Sequence, residues 1–255
     1  MKKKIKLIIK ITMILMFVSL LISTSIENLS IRYEIKQFIS QGVYQEDIST
    51  KSIKFYAVYD EDIKQESFTI EDEQIRPGST GDIIIGLASP LENTIFDPFI
   101  TFFIGGHSAL CSDMYHDKNL HISNKDCIEA TGTINYENST AISCDRIYWM
   151  DEFYRKEVIG LRVKCSDSEK EKALNYAISY INDPYNDLFI FNTNTKKYCT
   201  DLISQAYKKV GVNLNKDGGA VTVLDLAFSS ETSITYYHKY DDVRTLHIYY
   251  KTNKI

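Results

Sequence analysis

Nucleophilic acyl chemistry at a thiol needs three groups. A thiolate attacks, an imidazole moves the proton, and a carboxylate or amide fixes the ring. The best-placed thiol in this chain is Cys199, in Tyr198-Cys199-Thr200-Asp201-Leu202-Ile203. Leu202, Ile203, Ala206 and Val210 follow at helical spacing, and Gly211 stands where a helix-ending glycine belongs. Cys199 is therefore expected at the first turn of a helix. Unpaired backbone N–H groups and the positive end of the helix dipole favour a thiolate there. Lys196 and Lys197 add positive charge just upstream. The plainer alternative is a buried cysteine that serves as a small hydrophobe.

Two of the five histidines are candidates for the base. His107 follows Gly105-Gly106 and opens an apolar stretch, and glycines there let another backbone or a substrate approach. His247 lies between Leu246 and Ile248, where a structural strand histidine is the stronger expectation. His107 is the preferred base on local context. His116 and His121 fall in a polar stretch, and His238 in Tyr236-Tyr237-His238-Lys239-Tyr240 is expected to be exposed. For the orienting group, Glu129 stands out in Cys127-Ile128-Glu129-Ala130, where an unpaired charge would be expensive. A strand glutamate pointing to water satisfies the same alternation.

These residues must be positioned by a sheet and a helix or two. Gly81 to Gly86, Phe102 to Cys111, Asp126 to Ala130, Thr140 to Ser143 and Glu157 to Lys164 read as short strands. A helix follows, capped by Ser166 or Ser168 with a glutamate three residues on, and ended by Asp183-Pro184. Its apolar face is Leu174, Ala177, Ile178 and Ile181. Ile53 to Tyr59 and Thr245 to Tyr250 read as further strands, and Ile31 to Ile48 as a mostly polar helix. The fold class expected is α+β, a small antiparallel sheet or open barrel packed against helices.

Three segments divide the chain. Residues 1–25 begin with lysines, continue through an apolar run from Ile11 to Ile22, and end in small polar residues. These are the parts of a secretory signal peptide, or of a signal anchor if residues 5–22 are taken whole. Either places the body outside the cytoplasm, secreted or anchored to the cell membrane. Residues 26–75 read as an N-terminal extension or spacer, and residues 76–255 as the catalytic domain. Residues 1–25 hold five lysines and no acid, so the rest carries 24 basic and 34 acidic side chains, net −10. An acidic body of this kind is a poor partner for nucleic acid. Cys111, Cys127, Cys144, Cys165 and Cys199 show no zinc spacing, and an odd count leaves at least one thiol outside any intramolecular disulfide.

Five motifs in order resemble a known family. They are Gly81-Asp82-Ile83-Ile84, Gly106-His107-Ser108-Ala109, Ile128-Glu129-Ala130, Asp183-Pro184-Tyr185 and Tyr198-Cys199-Thr200-Asp201-Leu202-Ile203. Together they are similar to the YiiX-like branch of the NlpC-type cysteine hydrolases, over roughly residues 76–210. The resemblance implies a circularly permuted papain-like fold in which the histidine precedes the cysteine. It carries over Cys199 as nucleophile, His107 as base and Glu129 as the third member, and it places Tyr185 in the cleft near the oxyanion. One departure is conservative: Cys199-Thr200-Asp201-Leu202 stands where the family usually has Cys-Ser-Glu-Leu. The function implied is a cysteine hydrolase (amidase or peptidase) acting on a peptide or peptidoglycan stem peptide, with neither metal nor cofactor. The same fold also serves lipid acyl hydrolases and acyltransferases such as lecithin retinol acyltransferase; Phe99, Phe102 and Phe103 would then line an acyl pocket, although core packing is the preferred reading of these side chains. A non-catalytic envelope binding protein is the alternative outside enzymes.

Overall fold

The computed structural model describes residues 2–71, 73–87, 106–112, 126–131, 141–144, 146–153, 155–186, 195–215 and 218–253. The aromatic stretch from Phe96 to Phe103, with Phe99, Phe102 and Phe103, lies outside these residues, as do His116 and His121.

The chain is α+β. Its strands are β1 (Val43–Tyr44), β2 (Ile53–Tyr59), β3 (Phe68–Glu71), β4 (Gln74–Pro77), β5 (Ile83–Gly86), β6 (His107–Cys111), β7 (Cys127–Ala130), β8 (Ala141–Cys144), β9 (Glu157–Val163), β10 (Thr232–Tyr240) and β11 (Leu246–Thr252). Its helices are α1 (Lys2–Ser40), α2 (Asp167–Ile178), α3 (Cys199–Lys208) and α4 (Val223–Ala227), with a 3-10 turn over Arg146–Met150. Among the described residues nine strands form one sheet in the order β1-β2-β11-β10-β9-β5-β6-β7-β8, and β3 and β4 form a separate hairpin. All neighbours in the large sheet are antiparallel except β2 and β11, which run parallel through seven residue pairs, from Leu246 beside Ile53 to Thr252 beside Tyr59. The sheet is thus larger than expected and mixed. The stretch read as an extension or spacer supplies β1 and β2 to it.

Strand alternation separates two layers. Ile83, Ile85, Leu110, Ile128, Ile159 and Leu161 pack with Ala173, Leu174 and Ala177 of α2, with Leu202, Ile203, Ala206 and Tyr207 of α3, and with Ile31, Ile35 and Phe38 of α1. The other layer holds Phe55, Phe68, Tyr236, Ile248 and Tyr250 in one cluster and Ile84, Ala109, Cys111, Cys127, Trp149 and Val158 in another. Helix α2 starts with a full capping box between Ser166 and Glu169. It ends at Ile178, earlier than the Asp183-Pro184 stop expected from the sequence, and Asn182 takes a left-handed φ of 74° in the turn that follows. Gly211, with φ 90°, turns the chain beyond α3.

Helix α1 continues unbroken from the lysine-rich start to Ser40. Its second half packs on the body, where Arg32 pairs with Glu157. In its first half Ile5, Leu7, Ile8, Ile9, Ile11, Met13, Ile14, Leu15, Met16, Phe17 and Val18 are all exposed. Among the described residues no helix is long and apolar enough to cross a membrane. The side chains of residues 20–25, the end of the apolar run and the small residues after it, lie outside the described set.

Candidate functional site

Cys199 is the first residue of α3, as its spacing implied. The helix opens at Tyr198, whose side chain makes no capping hydrogen bond. Tyr198 instead uses its hydroxyl to accept the Val221 N–H at 2.6 Å. Thr200 donates to Val221 O at 2.6 Å, which ties the helix start to the turn before α4. Beneath α3 lie β6 and β7, and the apolar face of the helix seats it there.

His107 is the first residue of β6 and Glu129 the third of β7. Leu110 pairs with Ile128 and Cys111 with Cys127, so His107 and Glu129 lie diagonally across the strand pair. The His107 Nε2 and a Glu129 carboxylate oxygen are 2.9 Å apart. That leaves Nδ1 for the thiol. Because His107 opens its strand, its ring lies at the edge of the sheet's two layers. Trp149 stacks on it, with centroids 5.7 Å apart and planes 9° from parallel. The Arg155 guanidinium lies 4.6 Å from the Trp149 ring. Gly106 precedes His107; a Cβ there would collide with Val223, so only glycine lets α4 approach this closely.

The electrostatics favour an ion pair. Burial by itself would lower the His107 pKa. The charge of Glu129 and hydrogen bonds with Cys199 and Glu129 outweigh it and raise the pKa to about 9. Burial pushes the Cys199 thiol up, but the hydrogen bond and charge of His107, with the N–H and hydroxyl of Ser108, pull it below its usual value. The Cys199 sulfur is 4.0 Å from Gly106 O. The structure therefore brings Cys199, His107 and Glu129 together as one contiguous group.

The other sequence candidates have contacts of their own. Tyr185 forms an isolated parallel bridge with Lys197, two residues ahead of Cys199, and packs half-buried against the core. Lys197, expected to assist the thiolate, is buried 3.8 Å from Asp201 and 5.2 Å from the Tyr180 ring centroid. His247 lies on β11, four strands from β6, a separation of about 19 Å at the usual spacing. There its ring nitrogen is 3.2 Å from an Asp241 carboxylate oxygen. His238 is not exposed but fully buried. It is bonded to Tyr236 at 3.0 Å and Arg155 O at 3.2 Å, because β10 is central in the sheet. Asp82, quoted as part of the first motif, is structural, with Arg162 nitrogens at 2.7 and 2.9 Å.

Sequence reasoning missed Trp149 and Arg155. The chain has a single tryptophan, which is the only local signal that could have pointed to it. Its 3-10 turn is anchored by Arg146, whose backbone N–H and Nε reach Asp126 at 2.6 and 2.9 Å. Among the described residues no group of three His, Cys, Asp or Glu could hold a metal ion. A groove of about 1140 Å³ lies at the far end of β9, beside Arg162, Cys165 and Lys170, away from Cys199.

No protein-family model matches the chain, and searches of curated proteins and of solved structures likewise found no match.

Proposed function

We propose that the chain is an exported or membrane-anchored cysteine hydrolase with the circularly permuted papain-like fold of the YiiX-like, NlpC-type enzymes. It cleaves an amide in a peptide or a peptidoglycan stem peptide. The observation that carries this reading is the run Glu129–His107–Cys199, with the imidazole raised to about 9 and the thiol lowered. A half-buried strand glutamate, a half-buried histidine and a helix-start thiol have no structural need to meet. Placed together they make a thiolate–imidazolium pair.

In the reaction the Cys199 thiolate attacks the carbonyl carbon. The backbone N–H of Cys199 in the first turn of α3, helped by Tyr185, whose bridge to Lys197 sits two residues ahead of the thiol, stabilises the oxyanion. The His107 imidazolium protonates the leaving amine, and the acyl group remains on sulfur. Water then attacks the thioester, with neutral His107 as base, and releases the acid. Glu129 holds the ring throughout and favours its charged form. Export is supported by the lysines before the apolar run and by the exposed apolar side chains of Ile5 to Val18.

The test is trapping of the acyl-enzyme. The protein is incubated with activated esters and with amide-linked stem peptides, quenched in acid and mapped by mass spectrometry. An acyl mass on the Cys199 peptide, with product release abolished in Cys199→Ala, is the expected result. Turnover unaffected in Cys199→Ala, or no acylation with any ester or amide, would overturn the proposal.

A further inference from the structure

Three of the five cysteines stand in one row across adjacent strands. Cys111 on β6 pairs directly with Cys127 on β7, which pairs directly with Cys144 on β8. We infer that Cys111 and Cys127 form a cross-strand disulfide when the chain folds under oxidising conditions. Direct partners on antiparallel strands share a face, so both side chains enter the layer that holds Ile84, Ala109 and Trp149.

The backbone bonds select this pair over Cys127 with Cys144. The Cys111 N–H donates to Asp82 O at 2.8 Å, and the Cys111 carbonyl accepts from the Gly81 N–H at 2.9 Å. Both bonds go towards β5. On the β7 side it is Ser112, one residue on, that donates to Asp126 O at 2.8 Å. Cys111 and Cys127 are therefore a non-hydrogen-bonded pair. Such pairs have Cα atoms about 4.5 Å apart and the closer Cβ atoms, within the reach of a disulfide. Cys127 turns its own N–H and carbonyl to β8, so Cys127 and Cys144 form the wider kind of pair. The Cys111 sulfur now lies 3.6 Å from Pro77 O, and rotation about χ1 turns it towards Cys127.

Both thiols are fully buried and are not joined in the structure. The bond must form during folding or local opening, before the Trp149 layer closes over them. Two thiols give up two protons and two electrons to a disulfide oxidant, an oxidised dithiol protein or glutathione disulfide. A sulfur–sulfur bond forms, and the oxidant leaves as two thiols. The disulfide would fix the register of the two strands that carry the site. His107 lies four residues before Cys111 and Glu129 two after Cys127, on the same faces of their strands. It would also leave Cys199 reduced. The inference does not depend on the hydrolase reading; it needs only an oxidising compartment, which export provides.

The test uses the full chain, refolded in a glutathione redox buffer, blocked with N-ethylmaleimide and digested without reduction. The expected map joins the Cys111 and Cys127 peptides and shows Cys199 alkylated. The oxidised protein should melt roughly 5–10 °C above the reduced protein. Thiols alkylated at both positions after oxidative refolding would overturn the inference, as would a dominant Cys127–Cys144 or Cys199-containing cross-link. The wild type carries the test, so no variant's folding is at issue, and acylation of Cys199 is read separately.

Discussion

His107 is held from three directions: Glu129 at Nε2, the Trp149 ring on its face, and the Cys199 thiol. Each contact has its own consequence. Glu129→Gln keeps a hydrogen-bonding group but removes the charge that raises the imidazole. The His107 pKa then falls towards 6.5 and the thiol loses its counter-ion. Alkylation of Cys199 at pH 6.5 should slow by about tenfold or more, read by mass mapping of the Cys199 peptide. An unchanged rate would show that the Glu129 charge does not act through the ring. Trp149 acts by position. Trp149→Leu keeps an apolar side chain under the sheet but removes the stacked ring. Cys199 reactivity at pH 7 should fall several-fold while thermal unfolding stays cooperative. Reactivity equal to wild type would assign Trp149 to packing alone. Truncation to Ala is a poorer probe, since deleting a buried tryptophan side chain costs about 3–5 kcal/mol by itself.

At the scale of elements, β10 is the main departure from what the residues implied. Thr235, Tyr236, Tyr237 and His238 are all buried, because the strand is covered on both faces and shifts register between Ile234 and Tyr236. Neither feature leaves a simple alternation, which is why His238 reads as exposed from the sequence. The short strands β5 to β9, the capping box of α2 and the start of α3 were legible, since each rests on local patterns that survive packing. The joining of β2 to β11 was not, because a parallel pair nearly two hundred residues apart leaves no local trace. For the site, Cys199, His107 and Glu129 could be chosen from local context, whereas Trp149 meets His107 through tertiary packing and the Arg146–Asp126 anchor, which leave no local pattern. Buried His238 also sets a pH dependence. Burial lowers its pKa to about 4, below the ordinary 6.5. Between those values the unfolded chain binds a proton that the folded chain does not. Stability should therefore fall as pH drops from 6.5 towards 4, by on the order of 3 kcal/mol from this group, and be indifferent to it above 6.5. Urea midpoints at pH 7 and 4.5 check this: the wild type should lose more than His238→Gln, and equal losses would remove His238 as the cause.

Across the whole molecule, the helix layer and the aromatic layer clasp one sheet, and the site lies at the end of β6 where they meet. The first half of α1 holds apolar side chains in the open, a poor arrangement in water unless a membrane or a partner covers them. With neutral phosphatidylcholine vesicles, the full chain should float and a chain lacking residues 2–25 should not. Failure of both to float would leave the lysine-led segment without a membrane role. The most direct test of a thiolate–imidazolium pair at Cys199 is its alkylation rate from pH 5 to 10, mapped by peptide, in wild type and His107→Ala. In the wild type the rate should already be high below pH 7 and change again near pH 9 as the imidazolium loses its proton. In His107→Ala the midpoint should climb to the ordinary thiol value of about 8.5. A wild-type midpoint at that ordinary value, unmoved by His107→Ala, would contradict the pair.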